Sequence, residues 1–361
     1  MPEQKAKEDL LMVSAAPYIR SGESISKIMW SVVIALTPAA AFSVYLFGLR
    51  ALALIAVSVC SAVIAEAVIQ TALRKRITAL DGSAAVTGLL LSMNLPPHAP
   101  WWLAVSGSFF AIIIIKQLFG GLGSNIFNPA LAARAFLMAL WPVHMTANWH
   151  HQGEMSALSS VLKAASGTPP VVFDALAQAT PLSLLKEGPK IMADNNIAVS
   201  RLYEMVLSPA MLKSQLLWNT GGCIGETSAL LLLAGAAFLF IRKIITWHVP
   251  VSFVGTVALA AGAFYFHKGF TDPHLMMAVH ILSGGLVLGA FFMATDTTTS
   301  PVSAKGMIIF GIGCGIITFV IRIWGGYPEG VCYAILIMNA LVPLIDRLTK
   351  PKIFGAGKTL Q

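Results

Sequence analysis

Long apolar runs follow one another along this chain, and only one long polar segment, His144 to Gly225, interrupts them. Ten runs stand out: Lys27–Leu49, Ala51–Leu73, Ala84–Leu95, Trp101–Leu118, Pro129–Val143, Glu226–Ile241, Trp247–Phe266, Leu275–Ala294, Gly306–Ile323 and Val331–Ile345. A perpendicular bilayer span needs roughly 20 apolar residues, and several runs are shorter. Ala84–Leu95 is about a dozen residues long and ends in Pro96-Pro97. A piece of that kind is a tilted helix buried by protein or a broken one, and buried broken helices mark binding sites in membrane proteins. The pattern predicts an all-α polytopic membrane protein with about ten transmembrane helices.

Composition agrees. Of 361 residues, 57% are hydrophobic and 11% charged, with a mean hydropathy of +0.77. A soluble globule carries roughly a quarter charged residues, so that class is excluded. The net charge of +8 does not imply nucleic acid as a partner, because the basic residues sit at span ends. That is where topology in a lipid bilayer places them. Residues 1–26 are polar, with no apolar core before Ile28, so a cleavable leader is not expected.

Charge also predicts orientation. Ten spans put both termini on one side. Lys5, Lys7, Arg20, Lys27, Arg74, Lys75, Arg76, Arg242, Lys243, Lys305, Arg347, Lys350 and Lys352 fall there. The opposite loops hold Arg50 and Lys268, with Arg322 near the same face. The bias sets both termini in the cytoplasm and the segment after the fifth span outside it. Five parts follow: a cytoplasmic segment 1–26, five helices over 27–143, an external segment 144–225, five helices over 226–347, and a cytoplasmic tail 348–361.

The two five-helix parts echo each other. "RITALD" before the third run resembles "KGFTD" before the eighth. "IIIIKQLFGG", with Lys116, resembles "FVIRIWGG", with Arg322. Five spans is an odd number, so the copies point oppositely across the membrane, as two inverted five-helix repeats with a site near their interface.

Within the external segment, "DALAQATPLS" runs from Asp174 to Ser183. Pro181 keeps the preceding residue out of helical geometry. Ala177 and Ala179 are small and leave the Thr180 hydroxyl approachable. Such a hydroxyl accepts a phosphate ester, which would tether a phosphate-bearing cofactor permanently.

Several stretches carry a resemblance over nearly the whole chain: "APYIRSGESISKIMW", "DGSAAVTGLLLSMNLPP", "KQLFGGLGSNIFNPALAARAFL", "GETSALLLLAGAAFLF" and "MATDTTTSPVSAKGMIIFG" with "IRIWGGYPEG". Together they resemble the RnfD family of Rnf ion-translocating electron-transport complexes. They are more distantly similar to the B subunit of the Na⁺-translocating NADH:quinone reductase. The resemblance implies covalent FMN, joined through its phosphate to the Thr of a D-x-x-[ST]-[GA]-A-T type motif. Asp174, Ala179 and Thr180 match it, whereas Ala177 and Gln178 depart from it. Ser183, Lys186 and Thr168 are near enough in sequence to contact the flavin. It also implies a flavin transferase acting outside the inner membrane, and association with the A, B, C, E and G subunits of the complex. The family links ferredoxin and NAD⁺ chemistry to Na⁺ or H⁺ transfer. This chain shows no nicotinamide site of its own, so no complete activity is expected from it alone. The alternative is a solute transporter or channel of inverted-repeat fold with no redox role; a third reading is a scaffold for partner subunits.

Other residues carry two readings each. Glu66, inside the second run, is a stop on an ion path or a hydrogen-bonded packing residue. In "GGLGSNIFNPALAAR", Asn125, Asn128 and Arg134 lie beside flexible glycines at the cytoplasmic face. They suit a non-covalent flavin, such as the riboflavin implied by the quinone-reductase relative. Asn128 and Pro129 equally suit a capped helix start. Asp296, among Thr295 and Thr297–Thr299, offers hard oxygens for Na⁺ or ends a helix. Asp81 and Glu226 begin short runs, where acidic residues complement a helix dipole. His144, His150 and His151 are a weak metal cluster. Cys60, Cys223, Cys314 and Cys332 have no C-x-x-C spacing, so a self-contained iron–sulfur or zinc site is not expected.

Overall fold

The computed structural model of this chain describes residues 24–75, 77–146, 180–194, 203, 206–217, 222–270 and 272–350. Thr168, Asp174, Ala179, His150 and His151 lie outside the described residues, as do most of both terminal segments.

Every apolar run coincides with helix. The first half holds α1 (Ile25–Phe47), α2 (Leu49–Ala72), α3 (Ser83–Met93), α4 (Trp101–Phe109, continued by the π-helix Phe110–Gln117), α5 (Pro129–Leu140) and a short α6 (Pro142–Thr146). Then come α7 (Pro181–Asp194) and α8 (Pro209–Leu217). The second half holds α9 (Ala229–Ile241), α10 (His248–His267), α11 (Pro273–Leu282), α12 (Leu286–Leu288, continued by the π-helix Gly289–Met293), α13 (Ala304–Trp324) and α14 (Val331–Leu348). Among the described residues, five helices (α1, α2, α10, α13 and α14) are long and apolar enough to cross a membrane. A sixth span arises if α11 and α12, bent by 63°, count as one.

Local signals fix the ends. Ser24 caps α1 by accepting from the Lys27 N–H at 3.2 Å, and Ser303 caps α13 by accepting from Gly306 N–H at 3.0 Å. Gly48, at φ 72°, turns the chain between α1 and α2 in a single residue. The span helices present large apolar side chains outward, among them Ile34, Ile64, Val68, Leu259 and Ile316. Hydrocarbon, not water, is the solvent that tolerates such a face.

In each half the second helix packs on both the third and the fourth: α2 on α3 and α4, α10 on α11 and α13. Small residues bring the backbones together. At the α2–α3 seam, Ser58 Oγ donates to the Gly88 carbonyl at 2.7 Å, and Ser108 Oγ donates to the Ser58 carbonyl at 3.0 Å. A Cβ on Gly88 would lie 2.7 Å from the Ser58 oxygen and 2.8 Å from Val59 Cα, both backbone atoms. Gly88→Val is therefore expected to cost about 1–3 kcal/mol through overpacking, read as a lower thermal midpoint of the detergent-solubilised chain.

The short third run is a helix buried at Ser83, Ala84 and every residue from Thr87 to Met93, and it stops before Pro96-Pro97. Its counterpart differs from expectation. Leu275–Ala294 reads as one span, yet Ser283, Gly284 and Gly285 interrupt it, with φ 69° and 64° at the two glycines. Both values favour glycine, and they let the chain leave one helix and enter another inside the fold.

The halves meet through polar and apolar contacts. Ile224 N–H donates to the Leu95 carbonyl at 3.0 Å, and Ser43 Oγ donates to the Ile224 carbonyl at 2.6 Å. α1 packs on α9, and α5 on α14. One apolar core, including Leu91, Leu131, Phe253 and Leu288, runs through both halves.

Candidate functional site

Two cavities and a buried cluster of charges stand out in the fold. The first cavity lies where α3, α5, the π-helix of α4 and the end of α12 converge. Asn128 and Asn125 line it. Asn128 caps α5: its Oδ1 accepts from the Ala130 and Leu131 N–H groups, and Pro129 occupies the first helical position. Its Nδ2 reaches across the fold to the Met293 carbonyl at 3.2 Å. Asn125 Nδ2 donates to Phe127 O and to Thr298 Oγ1, while its Oδ1 is buried without a hydrogen-bond partner. That orphaned acceptor sits on a cavity-lining residue, where a ligand N–H would satisfy it.

Lys116, the cation of this cavity, is already paired, and Asp296 adds a carboxylate with no cationic partner among the described residues. Lys116 Nζ reaches Glu66 Oε1 at 2.8 Å and donates to Ser83 Oγ at 2.7 Å. Glu66 also accepts from Gln70 and Gln117, so its contacts tie α2 to α4. Asp296 accepts from the hydroxyls of Thr298 and Thr299 and from the Thr298 N–H, closing the turn after α12. The cavity therefore suits an uncharged ligand with a planar apolar body, set between Val86, Leu90 and Phe292, and polar edges.

The second cavity has the opposite character. Lys186, Lys268 and Arg322 line it with His280, Tyr203, Tyr265 and Phe270, and among the described residues no carboxylate joins them. Lys186 Nζ donates to the carbonyls of Tyr327 and Ile321, at 2.8 and 3.3 Å. Partial burial lowers its pKa below the usual lysine value. Arg322 donates to the carbonyls of His280, Ser283 and Gly284. Lys268 Nζ lies 4.7 Å over the Phe264 ring, and the three cations with no carboxylate in the lining fit an anionic ligand such as a phosphate ester.

Thr180 does not itself line this cavity but precedes by two residues Leu182, which does. Thr180 is the N-cap of α7, whose Leu182, Leu185 and Lys186 line the cavity. Its carbonyl accepts from Leu184 N–H at 2.9 Å, and its Oγ1 accepts from Ser183 N–H at 3.3 Å. Its Oγ1 and the Ser183 hydroxyl are 3.0 Å apart. Thr180 and Ser183 are thus brought together. The hydroxyl is less open than a loop position suggests, since Thr180 is only 7% exposed. The capping role turns it toward the helix. A phosphate carried there would meet the positive end of a helix dipole.

Outside the lining of both cavities is a cluster that the sequence does not announce. Arg134, placed at a membrane face by its neighbours in sequence, is instead buried. It pairs with Glu329 and donates to Asn94 Oδ1 at 2.9 Å, with Cys223 Sγ at 3.7 Å. Its partners come from the end of α3, the link before α9 and the link before α14, so the pair ties α5 to three distant segments. Arg322 likewise points inward at 3% exposure, so it is an interior charge, not a loop charge. The residue types hint at none of this, since Arg134 and Glu329 are 195 positions apart.

Comparison with known proteins agrees with this architecture. Residues 12–355 match the model of the NQR2, RnfD, RnfE family. The chain is 48% identical to the D subunit of the Na⁺-translocating ferredoxin:NAD⁺ oxidoreductase complex of Acetobacterium woodii, over 96% of each chain. It is 47% identical to the D subunit of the proton-translocating ferredoxin:NAD⁺ oxidoreductase complex of Clostridium ljungdahlii, over 99% of this chain and all of that one. It is 43% identical to the D subunit of the ion-translocating oxidoreductase complex of Stutzerimonas stutzeri, over 92% of each. Matches of this extent, on a helical chain with apolar spans, place the protein in the NQR2, RnfD, RnfE family.

Proposed function

We propose that this chain is the D-type membrane subunit of an Rnf ferredoxin:NAD⁺ oxidoreductase complex. It carries FMN as a phosphoester on Thr180 and relays electrons in a chain coupled to Na⁺ or H⁺ translocation. Ten helical segments form two inverted five-helix repeats in the inner membrane, with both termini cytoplasmic and the Thr180 segment outside. The shared packing of α2 and α10 on their neighbours supports the repeat. The observation that carries the flavin assignment is the position of Thr180, on the N-terminus of a helix that borders a cavity lined by three cations. Bound there, FMN would supply one- and two-electron chemistry, and the protein's part is to hold and tune it. Lys186, Lys268 and Arg322 supply the compensating charge; Ser183 steadies the ester oxygen. Asp174 and Ala179 complete the recognition segment for a flavin transferase.

The asparagine-lined cavity takes a second flavin without phosphate, riboflavin, held by Asn125 and Asn128. The unpaired Asp296 carboxylate and the paired Lys116 disfavour a phosphate, and the orphaned acceptor favours a ring N–H. Asn125→Ala is expected to reduce retention of the non-covalent flavin about tenfold, the worth of one buried hydrogen bond. The flavin released on denaturation, counted per chain, measures it.

The other subunits of the complex supply the iron–sulfur and nicotinamide chemistry. The direct test is the mass of the peptide containing Thr180.

A further inference from the structure

Neither cavity assignment uses the buried carboxylate of Glu226. It stands on the single turn Ile224–Glu226, 8% exposed, and its Oε1 has no hydrogen-bond partner among the described residues. A Cβ on Gly285 would lie 3.0 Å from that oxygen, so the carboxylate faces the break between α11 and α12. A small void bounded by Gly225, Leu282 and Leu286 opens beside it. Ligand atoms of Glu226, Glu329 and Cys223 all lie within 4.8 Å of one another.

The charges facing Glu226 among the described residues are Glu329, Arg134 and Arg322, with the Cys223 thiol beside them. Arg134 is committed to Glu329 and Asn94. Arg322 donates to carbonyls at the break, and it also lines the cation-rich cavity. It therefore stands between two sites. When the cavity carries no added negative charge, Glu329 and Glu226 at the break are the carboxylates that face Arg322, and of these Glu226 has no ion-pair partner among the described residues. When a negative charge arrives in the cavity, Arg322 is compensated from that side. Glu226 is then left as an excess carboxylate in a low-dielectric interior, where such an imbalance is strong.

We infer that Glu226 binds one monovalent cation, H⁺ or Na⁺, when the flavin of the cation-rich cavity gains an electron. The inference rests on the reading that Thr180 places a flavin in that cavity. The electron comes from a low-potential iron–sulfur or flavin carrier, and the cation comes from water. No bond breaks within the chain. If the cation is a proton, one O–H bond forms on Glu226; if it is Na⁺, the carboxylates of Glu226 and Glu329 are its oxygen ligands. The net charge of the buried region is the same before and after.

The test is a redox titration of the purified flavin-loaded chain, made in cells that also hold the flavin transferase, with dithionite as reductant. It is repeated over a series of pH values and NaCl concentrations. The wild-type midpoint is expected to move by about 59 mV for each tenfold change in the bound cation, a one-electron, one-cation coupling. Because a reduced flavin takes up protons on its own ring, the part of the dependence lost in Glu226→Gln assigns the cation: a lost pH dependence assigns a proton, and a lost NaCl dependence assigns Na⁺. Glu226→Gln is expected to flatten that dependence, and Glu226→Asp to keep its slope while shifting the cation concentration at which it sets in. A flavin that is attached, yet responds equally in wild type and Glu226→Gln, overturns the inference. So does a wild-type potential indifferent to both cations. If Glu226→Gln does not accumulate, an unchanged cation affinity in Glu226→Asp overturns it as well. A wild-type chain without flavin overturns the reading beneath it.

Discussion

Thr180→Ala is expected to remove all covalent flavin from the chain while leaving the fold in place. Thr180 does two things: its hydroxyl is the proposed ester oxygen, and it caps α7. Loss of the cap costs about 1 kcal/mol, too little to unfold a helix whose Leu182 and Leu184 are buried. Loss of the ester is total. The variant should therefore accumulate in membranes, run at the wild-type size, and show no flavin fluorescence after denaturing electrophoresis. Thr180→Ser retains an ester oxygen and a capping hydroxyl, and should retain fluorescence. If Thr180→Ala stays fluorescent, another residue is the acceptor.

The largest effect on stability is expected at Arg134. Arg134→Ala strands Glu329 beside Glu226, leaves Asn94 Oδ1 unpaired, and opens the junction between α5 and α14. Removing one partner of a buried pair costs about 3–5 kcal/mol. The thermal midpoint in detergent should fall sharply, and the yield with it. Replacing both partners, with Arg134→Met and Glu329→Leu together, removes the stranded charge and should recover most of the loss. A double variant as unstable as Arg134→Ala would mean that the pair matters for its shape and not for its charge balance.

How much of this is legible in the chain depends on sequence distance. Helix positions are, because apolar runs and their caps are local; Asn128-Pro129 specifies the start of α5 and the structure forms that cap. The break at Ser283–Gly285 is poorly legible, because glycines inside an apolar run are also common in membrane helices. Glu66 and Lys116 are each conspicuous in an apolar setting, but their pairing spans 50 positions and needs α2 to lie on α4. Arg134 with Glu329 is harder still, since the two halves must first come together. Thr180 shows the reverse. Its Thr-Pro signal reads equally as an exposed loop or as a helix cap, and only the packing of α7 against α11 and α13 selects the cap.

These pieces share one physical theme. Lipid cannot solvate charge, so each interior charge must find its partner inside the fold. Lys116 and Arg134 have theirs in Glu66 and Glu329. The buried Arg322, with the partly buried Lys186 and the exposed Lys268, meets no carboxylate among the described residues lining their cavity, and the phosphate-bearing group proposed on Thr180 is the anion assigned to them.

The mass of the Thr180-containing peptide tests that claim most directly, measured on chain isolated from membranes that also hold the flavin transferase. The account predicts a gain equal to FMN less one water, with fragmentation placing it on Thr180. An unmodified peptide from such membranes would contradict the electron-carrier reading and leave a transporter-like shell.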